Sequence, residues 1–283
     1  MAIDPVSFLD AVTFQATSLA ELDYSELRRA LTAASIVRVR GLFDREQLRA
    51  RLAEIAADFD VKNDRRHDPR DTDAVRRNFQ KLQIGANSGV NTRRTLGRFL
   101  RILYNPIFAE DVYGLRSAFV TLARFRNGLY GLPPEHAVHG TDDGFFTCAR
   151  LHQYPRGGGF MVPHRDHFSQ VVTVDAGLAY YQPFLILSEK GRDYQEGGAY
   201  IDREGERILY EGSCLTGDVV VYDGRTIHGV ADVDPLAALD LDRFSGRVAA
   251  FASLFKQLQP GEGDYGALAE KALERYGTDA EKI

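Results

Sequence analysis

The sequence predicts a mostly β fold with a helical N-terminal part, and three observations support this prediction. From Phe119 onward, short β-type runs alternate with turns that carry Gly, Pro, Asp and Asn. Residues 20–35 and 45–59 instead place apolar side chains at helical spacing. No internal repeat or low-complexity segment interrupts the chain. Many short strands with such spacers are typical of a β-sandwich or barrel, so we expect a single domain with helices packed on it.

The N-terminal elements follow from local signals. Residues 20–35 have helical spacing, and the β-branched run 34–40 predicts a strand. Asp44 is a good N-cap for a helix over 45–59, and Gln47 three residues later completes a capping-box-like pair. One face of this helix is apolar, through Leu48, Leu52, Ile55 and Phe59. The expected order is therefore helix, strand, turn and helix.

The rest of the chain divides into three parts. Residues 60–78 are polar and predict a loop, whereas 91–103 look helical. We expect a helical and lid region over about 1–118, a β-barrel core over about 119–256 and a C-terminal helix over about 262–278. The predicted core strands are 119–125, 145–154, 170–174, 183–187, 198–201, 219–222 and 248–254.

Composition excludes several classes of protein. The net charge of −5 and the pI of about 5.8 argue against a partner held through its phosphates, so we expect no nucleic acid. Two cysteines without CxxC spacing exclude a disulfide scaffold and a zinc ribbon. Neither a bilayer-spanning apolar run nor a signal peptide is seen, which predicts no membrane partner and a cytoplasmic location. The oligomeric state is not encoded.

The chemistry is concentrated at His164 and Asp166. On a strand, or at its end, this spacing puts both side chains on one face, where they can bind one metal. His228 follows an apolar strand and a turn, which can return a third ligand to the first two. Two histidines and one carboxylate fit iron(II) with open positions, and they also fit a hydrolytic zinc site. Arg247 opens the next strand and favours iron, because a buried guanidinium needs an anion such as a dicarboxylate that also chelates the metal.

In order and spacing, these motifs resemble the iron(II)- and 2-oxoglutarate-dependent oxygenases, particularly the prolyl-hydroxylase-like and phytanoyl-CoA-hydroxylase-like branches. The similar elements span about residues 34–255. They include Ile36 to Phe59, Leu151-His152-Gln153-Tyr154-Pro155-Arg156-Gly157, Pro163-His164-Arg165-Asp166, Glu196-Gly197-Gly198-Ala199-Tyr200, Gly217-Asp218, Thr226-Ile227-His228-Gly229-Val230 and Gly246-Arg247.

The resemblance implies a double-stranded β-helix, which is a jelly-roll, cupin-like barrel. It implies iron(II) at His164, Asp166 and His228, with 2-oxoglutarate and O2 as cosubstrates. It also implies that Arg247 pairs with the distal 2-oxoglutarate carboxylate and that Tyr154 hydrogen-bonds the cosubstrate. Arg247 lies farther along the chain from His228 than in most members, so Arg243 is the backup. The carboxylate at Asp166 disfavours a halogenase.

Oxidation of a C–H bond of a small molecule, such as an amino acid or a natural-product intermediate, is the expected reaction. Desaturation, cyclisation and epimerisation stay open. So do a metal-dependent cupin-type enzyme without 2-oxoglutarate and a jelly-roll binding protein with a vestigial site. His152 and His167 are expected beside the metal or at the surface, and Asp223 is a weaker alternative carboxylate. An oxygenase needs a cover, and the polar stretch 60–95 is the predicted lid. The candidate substrate contacts are Arg76, Gln80, Lys81, Arg94 and Arg165.

Overall fold

A computed structural model describes residues 4–65, 74–83, 97–166, 177–178 and 180–257. Its helices are α1 (Pro5–Ala11), α2 (Tyr24–Ala34), α3 (Arg45–Ala57) and α4 (Arg116–Tyr130). Its strands are β1 (Thr13–Gln15), β2 (Ile36–Arg40), β3 (Phe79–Gln83), β4 (Gly97–Arg98), β5 (Leu100–Tyr104), β6 (Phe145–Tyr154), β7 (Gly159–His164), β8 (Tyr181–Ile186), β9 (Gly198–Arg203), β10 (Glu206–Leu209), β11 (Val219–Asp223), β12 (Ile227–Val233) and β13 (Arg247–Lys256). Short 3-10 helices lie at Leu19–Glu21, Val61–Asn63, Ala74–Arg76 and Tyr210–Ser213.

Two sheets face each other. The larger has eight strands in the order β1-β2-β11-β8-β13-β6-β5-β3, and the smaller has five in the order β10-β9-β12-β7-β4. From β6 onward the chain passes between the sheets, placing β6, β8, β11 and β13 in one and β7, β9, β10 and β12 in the other. Neighbouring strands of this group pair antiparallel. This path is a double-stranded β-helix, as expected.

Each face of the larger sheet has its own apolar core. The outer face packs against the helices through side chains such as Leu31, Phe119, Leu151 and Val221. The inner face packs against the smaller sheet through Phe184, Tyr222, Phe251 and others. Alternate side chains of one strand therefore enter different cores, so the strands in the middle of this sheet carry apolar side chains on both faces.

Several local predictions are confirmed. Residues 36–40 form β2, and β6 has the predicted bounds. Asp44 caps α3, since the Gln47 N–H donates to its Oδ1 at 2.9 Å. The strands β8, β9, β11 and β13 cover the predicted runs within a few residues. Capping chemistry and β-branched runs are local signals, which explains why they predicted these elements well.

Two predicted elements have the wrong type. Residues 119–125 lie within α4, because the buried positions Phe119, Leu122, Ala123 and Leu129 repeat at helical spacing, and Gly131 ends the helix at φ 73°. The predicted helix over 91–103 is instead β4 and β5 from residue 97 onward. Leu103 packs in the outer core and Leu100 in the inner one. Because β5 is buried on both faces, its sequence does not show the alternation of apolar and polar residues that predicts a strand.

The N-terminal part contributes strands to the larger sheet. Residue 119, where we expect the β-barrel core to begin, lies inside α4, and β1, β2, β3 and β5 from the N-terminal part extend the larger sheet. The polar stretch includes β3, whose Lys81 pairs with Ile102 of β5. Residues 66–73 and 84–96, the predicted strand 170–174 and the predicted C-terminal helix lie outside the described residues. Within the described chain, no helix has the length and apolar character to cross a membrane.

Candidate metal centre and its cavity

The three predicted ligands converge. The strands β7 and β12 are adjacent and place His164 opposite His228. Asp166 follows β7 by two residues, and its N–H donates to the Gly224 carbonyl at 3.2 Å. One ligand atom from each of the three residues lies within 4.8 Å of the others. Asp166 Oδ1 lies 3.8 Å from His164 Nε2, and its Oδ2 lies 3.6 Å from His228 Nε2.

Backbone carbonyls orient both imidazoles. His164 Nδ1 lies 2.8 Å from the Val162 carbonyl, and His228 Nδ1 lies 2.9 Å from the Thr226 carbonyl. A proton on each Nδ1 leaves the Nε2 lone pair directed at Asp166. Burial, helped by His164, lowers the pKa of His228 to about 4, so the ring is neutral at pH 7. Two neutral imidazoles and one carboxylate form a donor set that fits a divalent transition metal.

Tyrosines surround the carboxylate. The Tyr222 hydroxyl donates to Asp166 Oδ2 at 3.2 Å, and Tyr180 lies 3.4 Å from the same oxygen. Tyr180 also donates to Gln182 Oε1 at 2.8 Å. These contacts restrain Asp166 although it lies beyond the end of β7. The alternative carboxylate, Asp223, is engaged elsewhere, because it accepts from the exposed Arg225.

The cluster lines a cavity of about 110 Å³ between the two sheets. Arg247 and Tyr154 line the same cavity, as expected. They are cross-strand partners on β13 and β6, and each is only 3% exposed. Burial raises the pKa of Tyr154 to about 12, so its hydroxyl keeps its proton at neutral pH. The backup Arg243 does not line this cavity, since its side chain is 82% exposed and pairs with Asp240.

Arg247 has a partner that sequence analysis missed. Its Nε lies 3.0 and 2.9 Å from the two Glu211 carboxylate oxygens, and its Nη2 donates to Oε1 at 2.7 Å. The Tyr194 hydroxyl and the Ala199 N–H also donate to Glu211. Burial alone would raise the pKa of Glu211, but Arg247 and these donors outweigh it and hold the pKa below its ordinary value. The one signal in the sequence was an acidic residue inside the apolar stretch 208–215.

β6 supplies two more cavity residues that were not predicted as such. Arg150 and His152 line the cavity, and Arg150 Nε lies 3.0 Å from His152 Nε2. His152 was expected beside the metal or at the surface. Period-two alternation from Tyr154 puts both residues on the inner face, so this signal was available. His167 lies outside the described residues.

The described candidate substrate contacts lie outside the cavity of the metal cluster. Gln80 is not part of this cavity, because its amide donates to Asp64 and it lines a separate cavity of about 480 Å³. The Lys81 ammonium lies 5.5 Å from the Tyr104 ring, and the Arg76 guanidinium lies 5.3 Å from the Phe146 ring. Lys81 and Arg76 do not line the cavity of the metal cluster. Half-buried Arg165, which stands between His164 and Asp166 in the sequence, does not line it either. Arg94 lies outside the described residues.

Comparisons with known proteins give structural similarity alone. No protein-family model and no curated protein matches the chain. A candidate oxygenase from Shewanella oneidensis superposes with a TM-score of 0.53 at 10% identity, covering 98% of this chain and 100% of its own. A Trichoplax adhaerens prolyl hydroxylase, in complex with a hypoxia inducible factor peptide, aligns at 11% identity and a TM-score of 0.49, covering 83% of this chain and 89% of its own. A Pseudomonas putida prolyl-4-hydroxylase aligns at 15% identity and a TM-score of 0.46, covering 84% of this chain and 100% of its own.

At these identities a similarity shows shared fold only, and the two hydroxylases, below a TM-score of 0.5, carry no inference. The Shewanella oneidensis protein matches this chain over nearly its whole length. The alternation of β6 to β13 between two facing sheets gives the same result independently. The chain therefore has a double-stranded β-helix fold, with a His-Asp-His cluster between its sheets.

Proposed function

We propose that this chain is an iron(II)- and 2-oxoglutarate-dependent dioxygenase that oxidises a C–H bond of a small molecule. The observation that carries the proposal is the convergence of His164, Asp166 and His228 in one cavity with Arg247. Three ligands on one side of an ion leave positions for a chelating cosubstrate and for O2. When bound, iron(II) and 2-oxoglutarate supply the oxidising chemistry, and the cosubstrate leaves as succinate and carbon dioxide.

The chain's own residues have distinct tasks in this reaction. His164, Asp166 and His228 hold the metal, and the Val162 and Thr226 carbonyls fix the two rings. Arg247 and the Tyr154 hydroxyl hold the distal carboxylate of the cosubstrate. Among the described residues, Arg247 Nη1 has no acceptor, because Glu211 takes Nε and Nη2. Glu211 thereby fixes the plane of the guanidinium and leaves one edge for an end-on contact.

The small volume of the cavity favours a small substrate. The cavity holds about 110 Å³ and is lined by apolar rings as well as by charged groups. Phe184, Tyr222 and Phe251 give the cavity an apolar lining, which strengthens electrostatic contacts inside it. Whether 60–95 acts as a lid stays a prediction, because most of that segment lies outside the described residues. Of its described residues, 79–83 form β3 and are held in the larger sheet by pairing with β5.

One observation favours a second candidate, a metal-dependent enzyme of this fold that does not use 2-oxoglutarate. Arg247 already has a buried carboxylate partner in Glu211, with an Nη2 to Oε1 distance of 2.7 Å. A second carboxylate on the same guanidinium would add negative charge in a buried place, which costs free energy. In that case Arg247 has a structural role, and the metal cluster works without a dicarboxylate.

Calorimetric titration of 2-oxoglutarate into the manganese(II)-loaded chain separates the two candidates, with succinate formation by the iron(II)-loaded chain as the second measurement. For the dioxygenase we expect saturable binding, weakened by about 30-fold or more in Arg247→Gln, since loss of one partner of a buried charge pair costs at least about 2 kcal/mol. Arg243→Gln is the matched control and should bind normally. Metal binding without any 2-oxoglutarate binding would instead support the second candidate.

A further inference from the structure

A second guanidinium reaches the cavity from β6. Arg150 lies opposite Phe251 of β13, whereas Arg247 lies opposite Tyr154. The two pairs are four residues apart along the strands, which is about 13 Å of strand length. Arg150 therefore approaches the cavity from a different position than Arg247. The reaction proposed above gives it no role.

The contacts of Arg150 are all with neutral groups. Nη1 donates to the Cys148 carbonyl at 3.2 Å and to Ser253 Oγ at 3.1 Å, and Nε points at His152 Nε2. The guanidinium carbon lies 5.1 and 5.4 Å from the ring centroids of Phe251 and Phe255. Among the residues that the structure describes, Nη2 has no acceptor and no carboxylate lies within ion-pair distance of Arg150.

The neighbouring histidine does not compensate this charge. Enclosure in the cavity, followed by the charge of Arg150, lowers the pKa of His152 well below its ordinary value. His152 is therefore neutral at pH 7 and accepts the Nε proton. The positive charge of Arg150 lies beside apolar rings without an anion among the described residues, and such a group gains free energy when an anion binds.

The fully buried arginines show what is unusual at Arg150, which is itself only partly buried. Arg38, Arg101 and Arg247 each have a carboxylate partner, in Asp10, Asp64 and Glu211 respectively. Arg126 has no carboxylate partner in the part of the chain that the structure describes, but it is enclosed by Asn127, Thr147 and the Ala252 carbonyl, and burial lowers its pKa to about 10. Of these arginines, only Arg247 and Arg150 line the cavity of the metal cluster, and Arg150 alone of that pair lacks a carboxylate.

We infer that Arg150 binds a carboxylate of the primary substrate and so selects organic anions for oxidation at the metal cluster. This inference rests on the proposed function, since it names the substrate class of the same site. Nη2 offers the carboxylate an end-on contact, and the Phe251 and Phe255 rings provide an apolar surface for the adjoining carbon atoms. The contacts to Cys148 and Ser253 hold the guanidinium in place before the anion arrives.

The network behind Arg150 leads to the metal cluster. Ser253 Oγ donates to Gln182 Oε1 at 3.0 Å, and Gln182 accepts from Tyr180, whose oxygen lies near Asp166. Arg150 is thus connected to a proposed metal ligand through three side chains. An anion at Arg150 would be held at a fixed distance from the reacting position, as C–H oxidation requires.

The test compares probes that have nearly the same shape and differ in charge. Benzoate and benzamide, and butanoate and butanamide, are titrated calorimetrically into the full chain loaded with manganese(II), with and without saturating 2-oxoglutarate. We expect each carboxylate to bind at least about tenfold more tightly than its amide, the factor that one charge-assisted hydrogen bond provides. Arg150→Gln should abolish this preference, and Arg150→Lys should keep part of it. Arg124→Gln is the matched control, because Arg124 is an exposed arginine of α4 that pairs with Glu135.

The outcomes separate this inference from the proposed function. Equal affinity for carboxylate and amide in the wild-type chain, or no binding of either, overturns the inference without any variant, so a misfolded Arg150→Gln protein cannot obscure it. Benzoate that displaces 2-oxoglutarate, or an Arg150→Gln variant that loses 2-oxoglutarate and keeps benzoate, also overturns it. Failure of 2-oxoglutarate to bind would remove the proposed function, while the titration of the metal-loaded chain would still report on Arg150.

Discussion

The two ends of the cavity differ in how their charges are compensated. At the buried end, Arg247 and Glu211 neutralise each other, and Tyr194 and Ala199 satisfy the remaining carboxylate positions. At the half-exposed end, Asp166 faces two imidazoles, and Arg150 has no carboxylate among the described residues. At the first end the fold compensates the charge of Arg247, and among the described residues only Arg247 Nη1 is left without an acceptor. The second end has places for a cation and for an anion, which is what a site that binds charged ligands requires.

The largest effect should come from the half-exposed end. Asp166→Ala removes the one charged ligand of the cluster, so we expect the affinity for iron(II) or manganese(II) to fall beyond the roughly 10- to 100-fold that loss of an outer partner causes. Metal titration with elemental analysis measures this. Asp223→Asn is the control, because Asp223 pairs with Arg225 and should leave metal affinity unchanged. Wild-type affinity in Asp166→Ala would show that the cluster is not the metal site.

The buried end should affect stability more than binding. Glu211→Ala leaves the Arg247 guanidinium buried without an anion, and we expect the free energy of unfolding to fall by about 3–5 kcal/mol. Arg150→Met should cost much less, because no carboxylate loses a partner. Denaturant unfolding measures both. A double variant with Arg247→Met should recover part of the loss, and strictly additive effects would mean that the pair is not coupled.

A smaller effect should appear as pH dependence. Since the pKa of His152 is lowered in the folded chain, the unfolded chain takes up more protons below about pH 6.5. The contribution of His152 to stability is therefore complete above that pH and is lost as the pH falls. We expect His152→Gln to flatten the fall in unfolding free energy between pH 7 and 5. His139→Gln is the control, because the His139 side chain is 69% exposed. An identical dependence of unfolding free energy on pH in the wild-type chain and in both variants would contradict the prediction.

The smallest effect is expected at Arg243. Its side chain is 82% exposed and meets Asp240, so Arg243→Ala should change the free energy of unfolding by no more than about 0.5 kcal/mol. Affinity for 2-oxoglutarate should also stay at the wild-type value in the same calorimetric titration. A clear loss of that affinity would return Arg243 to the role assigned here to Arg247.

How far the sequence predicted the site depended on the range of each interaction. His164, Asp166 and His228 were found because H-x-D spacing and a strand-turn-histidine pattern are short motifs. Arg247 was found because it opens a strand. Glu211 was not found, since its partner lies 36 residues away and no local pattern joins them. The helix at 116–130 and the strands at 97–104 were misassigned because burial on both sides or aromatic content concealed their periodicity.

The metal cluster and the two cavity arginines belong to different sheets. His164 and His228 lie on β7 and β12 of the smaller sheet, and Arg150 and Arg247 lie on β6 and β13 of the larger one. Apolar packing joins the sheets around the cavity, together with the Tyr222 to Asp166 hydrogen bond and the contacts of Glu211 with Arg247 and Ala199. A molecule that chelates the metal and contacts either guanidinium would add a further link between the two sheets. Metal and dicarboxylate together should therefore raise the unfolding temperature by more than the sum of their separate effects, because the dicarboxylate contacts both sheets only when the metal is bound.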